Sequence, residues 1–344
     1  MRTLWRHAVM ALVLALTASP AHADDDVAAF YKGKTLQVVS SFGEGGLYSV
    51  LTRLTAEHLP RHLPGRPVGI AQSMPGAAGF RQMSYLANLA PRDGTVIALM
   101  YDNVPTAQLL QPDDSLRFDT RRFGVLGSLN RGETGLVGIL KRAGIATIED
   151  ARGKPAVFGS TGTSSGQYTV PAAMNKLFGT RFKIIPGYKT TPEIYLSMER
   201  GEVDGVYGAV EAIIENRPQW IAEHSFNWLA QLNDVRASEY SQVPLLQELA
   251  QDPLDQAALR FMALARVPGK MFVTPPEVPA ARLSALRAAF AEMVRDKAFI
   301  ADVAGTAQKL DPRSAQEAER ILRETSDTPA AVLARVRALV KVGN

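Results

Sequence analysis

The sequence predicts an α/β protein of two lobes, in each of which strands alternate with helices. Apolar runs typical of buried strands alternate with apolar stripes at helical spacing through the first hundred residues. A second set of such units begins near residue 155, and after residue 257 the pattern changes to helices alone. Repeated strand–helix units favour a mostly parallel sheet flanked by helices, and we expect one such sheet in each lobe.

The elements follow from the hydrophobic pattern and its stop signals, taken in chain order. The first helix begins at Leu47 and ends near Pro60, and the second begins at Phe80 and is stopped by Pro91. Thr147 and Asp150, three residues apart, predict a capped helical turn. Apolar runs predict strands at 36–41, 68–72, 95–100, 123–126, 136–140, 155–159, 182–185, 203–208 and 227–232. Apolar stripes predict further helices at 167–178, 192–200, 279–295, 298–304, 314–324 and 329–341.

The N-terminus has the pattern of a cleaved export signal. Arg2 and Arg6 precede an apolar run at 8–17, and Ala21-His22-Ala23 forms a small-x-small cleavage site. Residues 1–23 are therefore predicted to be a signal peptide, with a retained membrane anchor as the alternative, and the mature chain is expected in the periplasm. We expect residues 24–130 plus 231–344, with the C-terminal helices, to form one lobe and residues 131–230 the other.

Composition excludes several classes of function. The formal charge is +4, and removing Arg2 and Arg6 with the signal leaves 4 − 2 = +2, with both signs interspersed. Such a distribution does not favour nucleic-acid binding. The chain has no cysteine, which excludes disulfides, thiolate nucleophiles and cysteine-based metal sites.

Three glycine-rich loops are the strongest functional signal. Each follows a predicted strand and precedes a predicted helix, so its backbone N–H groups can hold an anion at the positive end of that helix. We call 41–49 the first loop, 74–79 the second loop and 159–166 the third loop. The third loop is the richest in hydroxyl donors and has no lysine in the position of a nucleotide phosphate-binding loop. These donors, without a central arginine or lysine, predict a site for a small anion such as a carboxylate.

Two catalytic or metal-binding alternatives have weaker support. Gly162 to Gly166 matches the elbow of serine hydrolases, with Ser164 as nucleophile and Asp204 and His224 as partners in the right chain order. However, Ser164 does not directly follow the strand. His58 and His62 are spaced to chelate a metal, but Pro60 between them should break the helix and make them solvated surface residues. Trp220 and Trp228 fit either a core or a ligand-stacking role.

The chain resembles the periplasmic solute-binding receptors of the tripartite tricarboxylate transporters, the Bug-type receptors. The matching segments cover almost the whole mature chain in the family's order: 30–36, 42–48, 74–79, 90–95, 198–205 and 273–279. The resemblance implies a two-lobed type II periplasmic binding protein of the Venus-flytrap form. It further implies a small organic carboxylate held between the lobes and delivered to a membrane permease. A receptor that serves a membrane sensor is the alternative within this class.

The resemblance also implies which residues bind the ligand. Tyr207 and Glu211 are expected to select its distal end, while Glu44 and Ser49 depart from the family's usual proline and aspartate. A monomer is expected, with no catalytic residue, cofactor or metal. The remaining candidate ligand-binding residues are Phe42, Gly45, Gly46, Tyr48, Gly76, Ala77, Ala78, Thr161, Gly162, Thr163 and Ser164.

Overall fold

The computed structural model describes residues 26–43, 46–110, 118–163, 165–265, 267–306 and 309–341. The predicted signal peptide lies outside these residues. The strands of the described chain form two sheets. The first contains β1 (Thr35–Ser40), β2 (Val68–Ser73), β3 (Val96–Leu99), β4 (Gly124–Ser128), β10 (Met271–Thr274) and β11 (Arg313–Ser314). The second contains β5 (Gly135–Leu140), β6 (Ala156–Ser160), β7 (Phe182–Pro186), β8 (Gly205–Ala209) and β9 (Phe226–Gln231).

Helices flank both sheets. In chain order they are α1 (Val27–Tyr31), α2 (Leu47–His62), α3 (Phe80–Asn88), α4 (Val104–Leu110), α5 (Ile148–Gly153), α6 (Gly166–Phe178), α7 (Thr191–Glu199), α8 (Val210–Asn216), α9 (Pro218–Ala222), α10 (Leu246–Leu249), α11 (Pro253–Leu264), α12 (Ala280–Met293), α13 (Lys297–Ala304), α14 (Ala315–Ser326) and α15 (Ala330–Val340). The predicted cap of α5 is confirmed, because Thr147 and Asp150 form a capping box. None of the helices in the described chain is long and apolar enough to cross a bilayer.

Alternating side chains along the first sheet fill two separate cores, as the two-residue period of a strand requires. Val38 points into one core with α2, α12 and α13, whereas Val39 points into the other with α3, α4 and α14. The first sheet is therefore the middle layer of a helix–sheet–helix sandwich. Its strand order is β11-β4-β10-β3-β1-β2.

The second sheet, ordered β7-β6-β8-β5-β9, is covered in the same way. One core contains side chains of α5, α6, α10 and α11, and the other contains α7, α8 and α9 with Trp220. The last helix, α15, packs on α6 and α11. The segment after residue 231 thus contributes to the cores of both sheets, and the division into lobes at residues 130 and 231 stays a prediction.

Both sheets are mixed, so the expectation of mostly parallel sheets is wrong. Within the described chain, four of the nine strand pairs are parallel: β1 with β2 and β3, and β6 with β7 and β8. β10 runs antiparallel to both β3 and β4, and β5 runs antiparallel to both β8 and β9. β10 begins at the edge of the first sheet where β3 and β4 end, and β5 begins at the edge of the second sheet where β8 and β9 end. Each of them therefore runs antiparallel to both of its neighbours.

Pro60 does not end α2, which continues to His62. Proline removes only the hydrogen bond that its own N–H would donate to the carbonyl one turn back, that of Ala56. In the last turn of a helix that loss is tolerated. The Ala56 carbonyl instead packs against the backbone of Gly69, where a Cβ would lie 1.8 Å from the carbonyl oxygen. Glycine at this position of β2 therefore allows the close approach of helix and strand.

Candidate functional site

The carboxyl ends of three parallel strands meet at one edge of the first sheet. β1, β2 and β3 run parallel, so the first loop, the second loop and residues 100–103 follow them at the same edge. Gly79 of the second loop shows how closely they approach. A Cβ at Gly79 would lie 3.1 Å from the Cβ of Tyr101 and 3.6 Å from the Cβ of Ser41. The first and second loops are therefore neighbours.

Three aromatic rings cluster at this edge. The ring centroid of Phe42 lies 4.7 Å from that of Tyr48 and 5.0 Å from that of Tyr101, and the two tyrosine rings are 5.7 Å apart. Burial and the nearby charge of Asp102 raise the pKa of the Tyr48 hydroxyl well above its ordinary value. The hydroxyl of Tyr48 accepts a 3.5 Å contact from the Asp102 N–H and keeps its own proton to donate.

The second loop exposes its backbone through unusual dihedral angles. Gly76 has φ 140° and Ala77 has φ 46°, both in a region that L-residues rarely adopt. Both residues are exposed. Gly46, directly before α2, is also exposed, and a Cβ on it would meet open space. Gly45, Glu44 and the side chain of Ala78 lie outside the described residues.

Three backbone donors of the third loop are already hydrogen-bonded, among them the Ser165 N–H, which donates to the Gly162 carbonyl at 3.1 Å. The Thr161 N–H donates to Gln167 Oε1 at 3.0 Å, and the Gly162 N–H donates to Ser160 Oγ at 3.2 Å. Gln167 Nε2 in turn donates to Thr191 Oγ1 at 3.2 Å, which ties the loop to the start of α7. Thr163 is exposed, and Ser164 lies outside the described residues. Gln167 is a positioning residue that the sequence pattern did not single out.

The three glycines of the third loop have different physical roles. A Cβ on Gly159 would lie 2.6 Å from Ile194 Cγ2, and a Cβ on Gly166 would lie 2.9 Å from Tyr207 Cε1. Both glycines therefore permit close packing. Only Gly162 of the three faces open space, with no atom within 4 Å of an added Cβ.

Tyr207 and Glu211 occupy different environments. Tyr207 is 2% exposed, and its ring belongs to a core of the second sheet beneath Gly166 and Gly135. Glu211 lies in the first turn of α8, and its two carboxylate oxygens accept contacts of 3.2 and 3.1 Å from the Thr134 N–H. Burial raises the pKa of the Glu211 carboxyl. Both residues reach the start of β5, since the Tyr207 hydroxyl would lie 2.7 Å from a Cβ on Gly135 and Glu211 contacts Thr134.

Residues 129–134 carry the chain directly between the two edges that bear the loops. β4 ends at the edge of the first and second loops, since both β4 and β3 run antiparallel to β10. β5 begins at the carboxyl edge of β6 and β8, where the third loop starts. The charge of Glu133, within this crossover, raises the pKa of both Tyr48 and Glu211. The two sets of loops therefore lie at the two ends of one six-residue connection.

The partners needed for a serine hydrolase lie at the opposite edge of the second sheet. Asp204 precedes β8 and accepts a 2.9 Å hydrogen bond from the Val157 N–H, near the amino end of β6. His224 precedes β9, which runs parallel to β8 because both are antiparallel to β5. A five-residue strand, roughly 15 Å long, separates this edge from the third loop. The described chain does not bring a catalytic triad together.

The histidine pair is also placed differently from the prediction. His58 is 1% exposed rather than solvated, because its ring packs under Phe299 and its Nε2 lies 2.7 Å from Asp302 Oδ2. His62 Nε2 lies 3.1 Å from a different carboxylate, that of Asp296. In the described chain no three histidine or acidic side chains are grouped to hold a metal ion.

Sequence reasoning missed a lysine at the edge of the first sheet. Lys270 is 3% exposed and directly precedes β10, whose first residue lies beside the end of β3. Its Nζ lies 3.4 Å from Asp102 Oδ2 and 4.7 Å from the centroid of the Tyr48 ring. The only local signal was a Pro-Gly turn before a four-residue apolar run, which is too short to identify a strand. The loops themselves contain no arginine or lysine, but the fold brings this lysine beside Tyr48 of the first loop.

A separate surface groove lies between α2 and β2, away from all three loops. It is lined by Ala56, Glu57, Pro60, Arg61, Arg66, Pro67 and Gly69. The described candidate residues of the three loops do not line this groove.

Solved structures of other proteins share this architecture. A TctC solute-binding protein from Polaromonas, without ligand, has a TM-score of 0.67 and 18% sequence identity, covering 90% of this chain and 99% of that chain. The chain has the fold of periplasmic solute-binding proteins. No protein-family model and no curated protein matches it. The resemblance predicted from the sequence motifs is confirmed for the fold.

Two further neighbours were solved with small acids bound. Rpa4515 from Rhodopseudomonas palustris, with adipate, has a TM-score of 0.53 and 18% identity, covering 89% of this chain and 97% of that chain. MatC from the same organism, with malate, has a TM-score of 0.51 and 16% identity, covering 90% and 99%.

Proposed function

We propose that this chain is a periplasmic solute-binding protein without catalytic activity. It captures a small organic carboxylate between its two lobes and delivers it, as a monomer, to a tripartite tricarboxylate-type membrane permease. Open lobes admit the ligand, and contacts from both lobes favour the closed form.

The observation that carries this proposal is the position of the loops relative to the crossover. Ligands of open α/β sheets bind outside the carboxyl ends of the strands. Both carboxyl edges here adjoin residues 129–134, so a ligand beside that segment can contact the first and third loops together. The described residues that contact the ligand in this proposal, Thr161 through its hydroxyl, are Phe42, Gly46, Tyr48, Gly76, Ala77, Thr161, Gly162 and Thr163, and Gly45, Ala78 and Ser164 complete the set.

The class of ligand follows from the donors. Backbone N–H groups at helix starts and side-chain hydroxyls suit an oxyanion. Two proteins of this fold hold adipate and malate, which are both carboxylates. An anionic ligand is also consistent with the lysine at the edge of the first sheet.

Isothermal titration calorimetry tests the proposal directly. The mature chain is unfolded, dialysed and refolded to remove any co-purified ligand, and then titrated with mono-, di- and tricarboxylates. We expect saturable binding of at least one acid with one site per chain. Failure of every acid to bind to correctly refolded protein contradicts the proposal.

A matched pair of variants tests the third loop. Replacing Thr161 and Ser164 together by alanine should weaken binding by about 1–3 kcal/mol, because hydrogen bonds to a charged group are lost. The control is Ser284→Ala, on an exposed position of α12. Unchanged affinity in the double variant indicates that these hydroxyls do not contact the ligand.

Delivery to the permease requires a test in cells. Deleting the gene should abolish uptake of the acid identified by calorimetry, and re-expression should restore it. Normal uptake in the deletion strain contradicts the transport role.

A further inference from the structure

Lys270 is a buried cation with too few partners. Its side chain is 4% exposed, and an ammonium carries three N–H donors. Within the described chain, Asp102 is the single hydrogen-bond acceptor for Nζ, at 3.4 Å. Charge-assisted hydrogen bonds are shorter, at about 2.7–2.9 Å. Besides the Asp102 contact the ammonium faces the Tyr48 ring, 4.7 Å from its centroid, so its hydrogen-bonding capacity is incompletely used in a position that water reaches poorly.

Two further polar atoms at the same sheet edge lack a hydrogen-bond partner among the described residues. Ser41 Oγ, at the end of β1, and Asn103 Oδ1, beside Asp102, are buried and have no hydrogen-bond partner in the described chain. Ser41 is 3% exposed. Leaving a buried polar group unsatisfied costs about 1–3 kcal/mol. Two unpartnered polar atoms and a cation with a single long hydrogen bond, all at one sheet edge of the described chain, point to a site for another molecule.

Stability alone does not explain the Lys270–Asp102 pair. Burying an ion pair costs desolvation that only good geometry offsets. By comparison, the more exposed pair that joins α15 to α11, Arg335 with Asp255, has only 2.5 Å between Nε and Oδ1. The longer separation at Lys270 gives a weak structural contact. Asp102, whose side chain is 19% exposed, can turn toward solvent and release the ammonium.

We propose that Lys270 is the charged receptor for the ligand's carboxylate, which replaces Asp102 as the partner of the ammonium. Ser41 Oγ donates a second hydrogen bond to the same carboxylate. This inference rests on the proposed function and names the residue that selects an anion at that site. With Asp102 turned toward solvent, where water hydrates its charge, the ligand's carboxylate takes its place and the buried ammonium keeps an anionic partner. Asp102 acts as an internal competitor that favours release.

The test compares two lysines that each lie near an aromatic ring. Lys34 Nζ lies 5.3 Å from the centroid of the Phe30 ring, before the amino end of β1. Calorimetry with the carboxylate panel should show that Lys270→Met weakens binding by about tenfold to a hundredfold, as loss of a charged hydrogen bond implies. Lys34→Met should bind as the wild type does. Asp102→Asn should bind more tightly, because the competing carboxylate is gone.

Lys270→Met alone leaves Asp102 without its partner and can impair folding. The double variant Lys270→Met/Asp102→Leu removes both charges and should match or exceed the wild type in thermal stability. It should still bind about tenfold or more weakly. Wild-type affinity in either Lys270 variant overturns this inference and leaves the proposed function standing. Absence of binding by the refolded wild type overturns the proposed function, and this inference with it.

Discussion

Replacing Gly159 by alanine tests why the third loop begins with glycine. The added Cβ would lie 2.6 Å from Ile194 Cγ2, whereas ordinary contacts of this kind begin at 3.4 Å, so the two atoms must separate by about 0.8 Å. Ile194 is fully buried and β-branched, so its side chain cannot rotate away easily. Helix α7 must move instead. Overpacking of this kind costs about 1–3 kcal/mol.

Gly162→Ala in the same loop is the matched control. No atom lies within 4 Å of its added Cβ, so the free energy of unfolding should change by less than about 0.5 kcal/mol. Urea unfolding followed by circular dichroism measures both variants. We expect a lower midpoint for Gly159→Ala and an unchanged midpoint for Gly162→Ala. Equal midpoints for the two variants would refute the packing argument.

Two further predictions concern the second sheet and its helices. Burial raises the pKa of Glu211, so the folded state binds its proton more tightly than the unfolded state does, and the ionised carboxylate lowers stability above the raised pKa. Glu211→Gln should therefore raise the melting temperature near neutral pH. The gain should vanish as pH falls to the ordinary glutamate pKa. A gain that does not depend on pH contradicts this reasoning. Lys176 Nζ donates to the carbonyls of Ala338, Leu339 and Lys341, each at 2.9 Å, at the end of α15. Lys176→Met should cost about 1 kcal/mol and speed hydrogen exchange in α15 but not in α2; uniform exchange changes would show that α15 does not open separately.

The local elements were predictable because their signals are local. The strands β1, β2 and β6 and the helices α6 and α14 each show a clear period bounded by glycine, proline or a capping residue. The helix α11, at Pro253–Leu264, was missed, although Asp252 accepts hydrogen bonds from the N–H groups of Leu254 and Asp255 as its cap. The direction of β5 and β10 was not predictable, because it depends on where the crossovers enter each sheet.

The candidate site was predictable only in part for a related reason. Strand-to-loop patterns identify the first, second and third loops, since glycine and hydroxyl residues follow apolar runs there. Lys270 is distant from these loops in sequence, and it reaches Tyr48 only because β10 is inserted between β3 and β4. Gly159 and Gly166 are the opposite case. The sequence pattern places them in a ligand-binding loop, but in the structure an added Cβ would meet Ile194 at Gly159 and Tyr207 at Gly166.

The two edges beside the crossover differ in charge, and this difference decides how an anion would be oriented. Glu211 lies on the side of the second sheet, where burial raises the pKa of its carboxyl, and Glu133 lies in the crossover between the two edges. Lys270 lies on the side of the first sheet. In the proposal above, Lys270 attracts the carboxylate to the first sheet once Asp102 has turned away, and the third loop meets it through neutral donors. Because attraction comes from one side alone, opening the lobes removes the hydrogen bonds of the third loop without separating an ion pair. An anion held in this way is released at lower cost than one clamped by charges from both lobes.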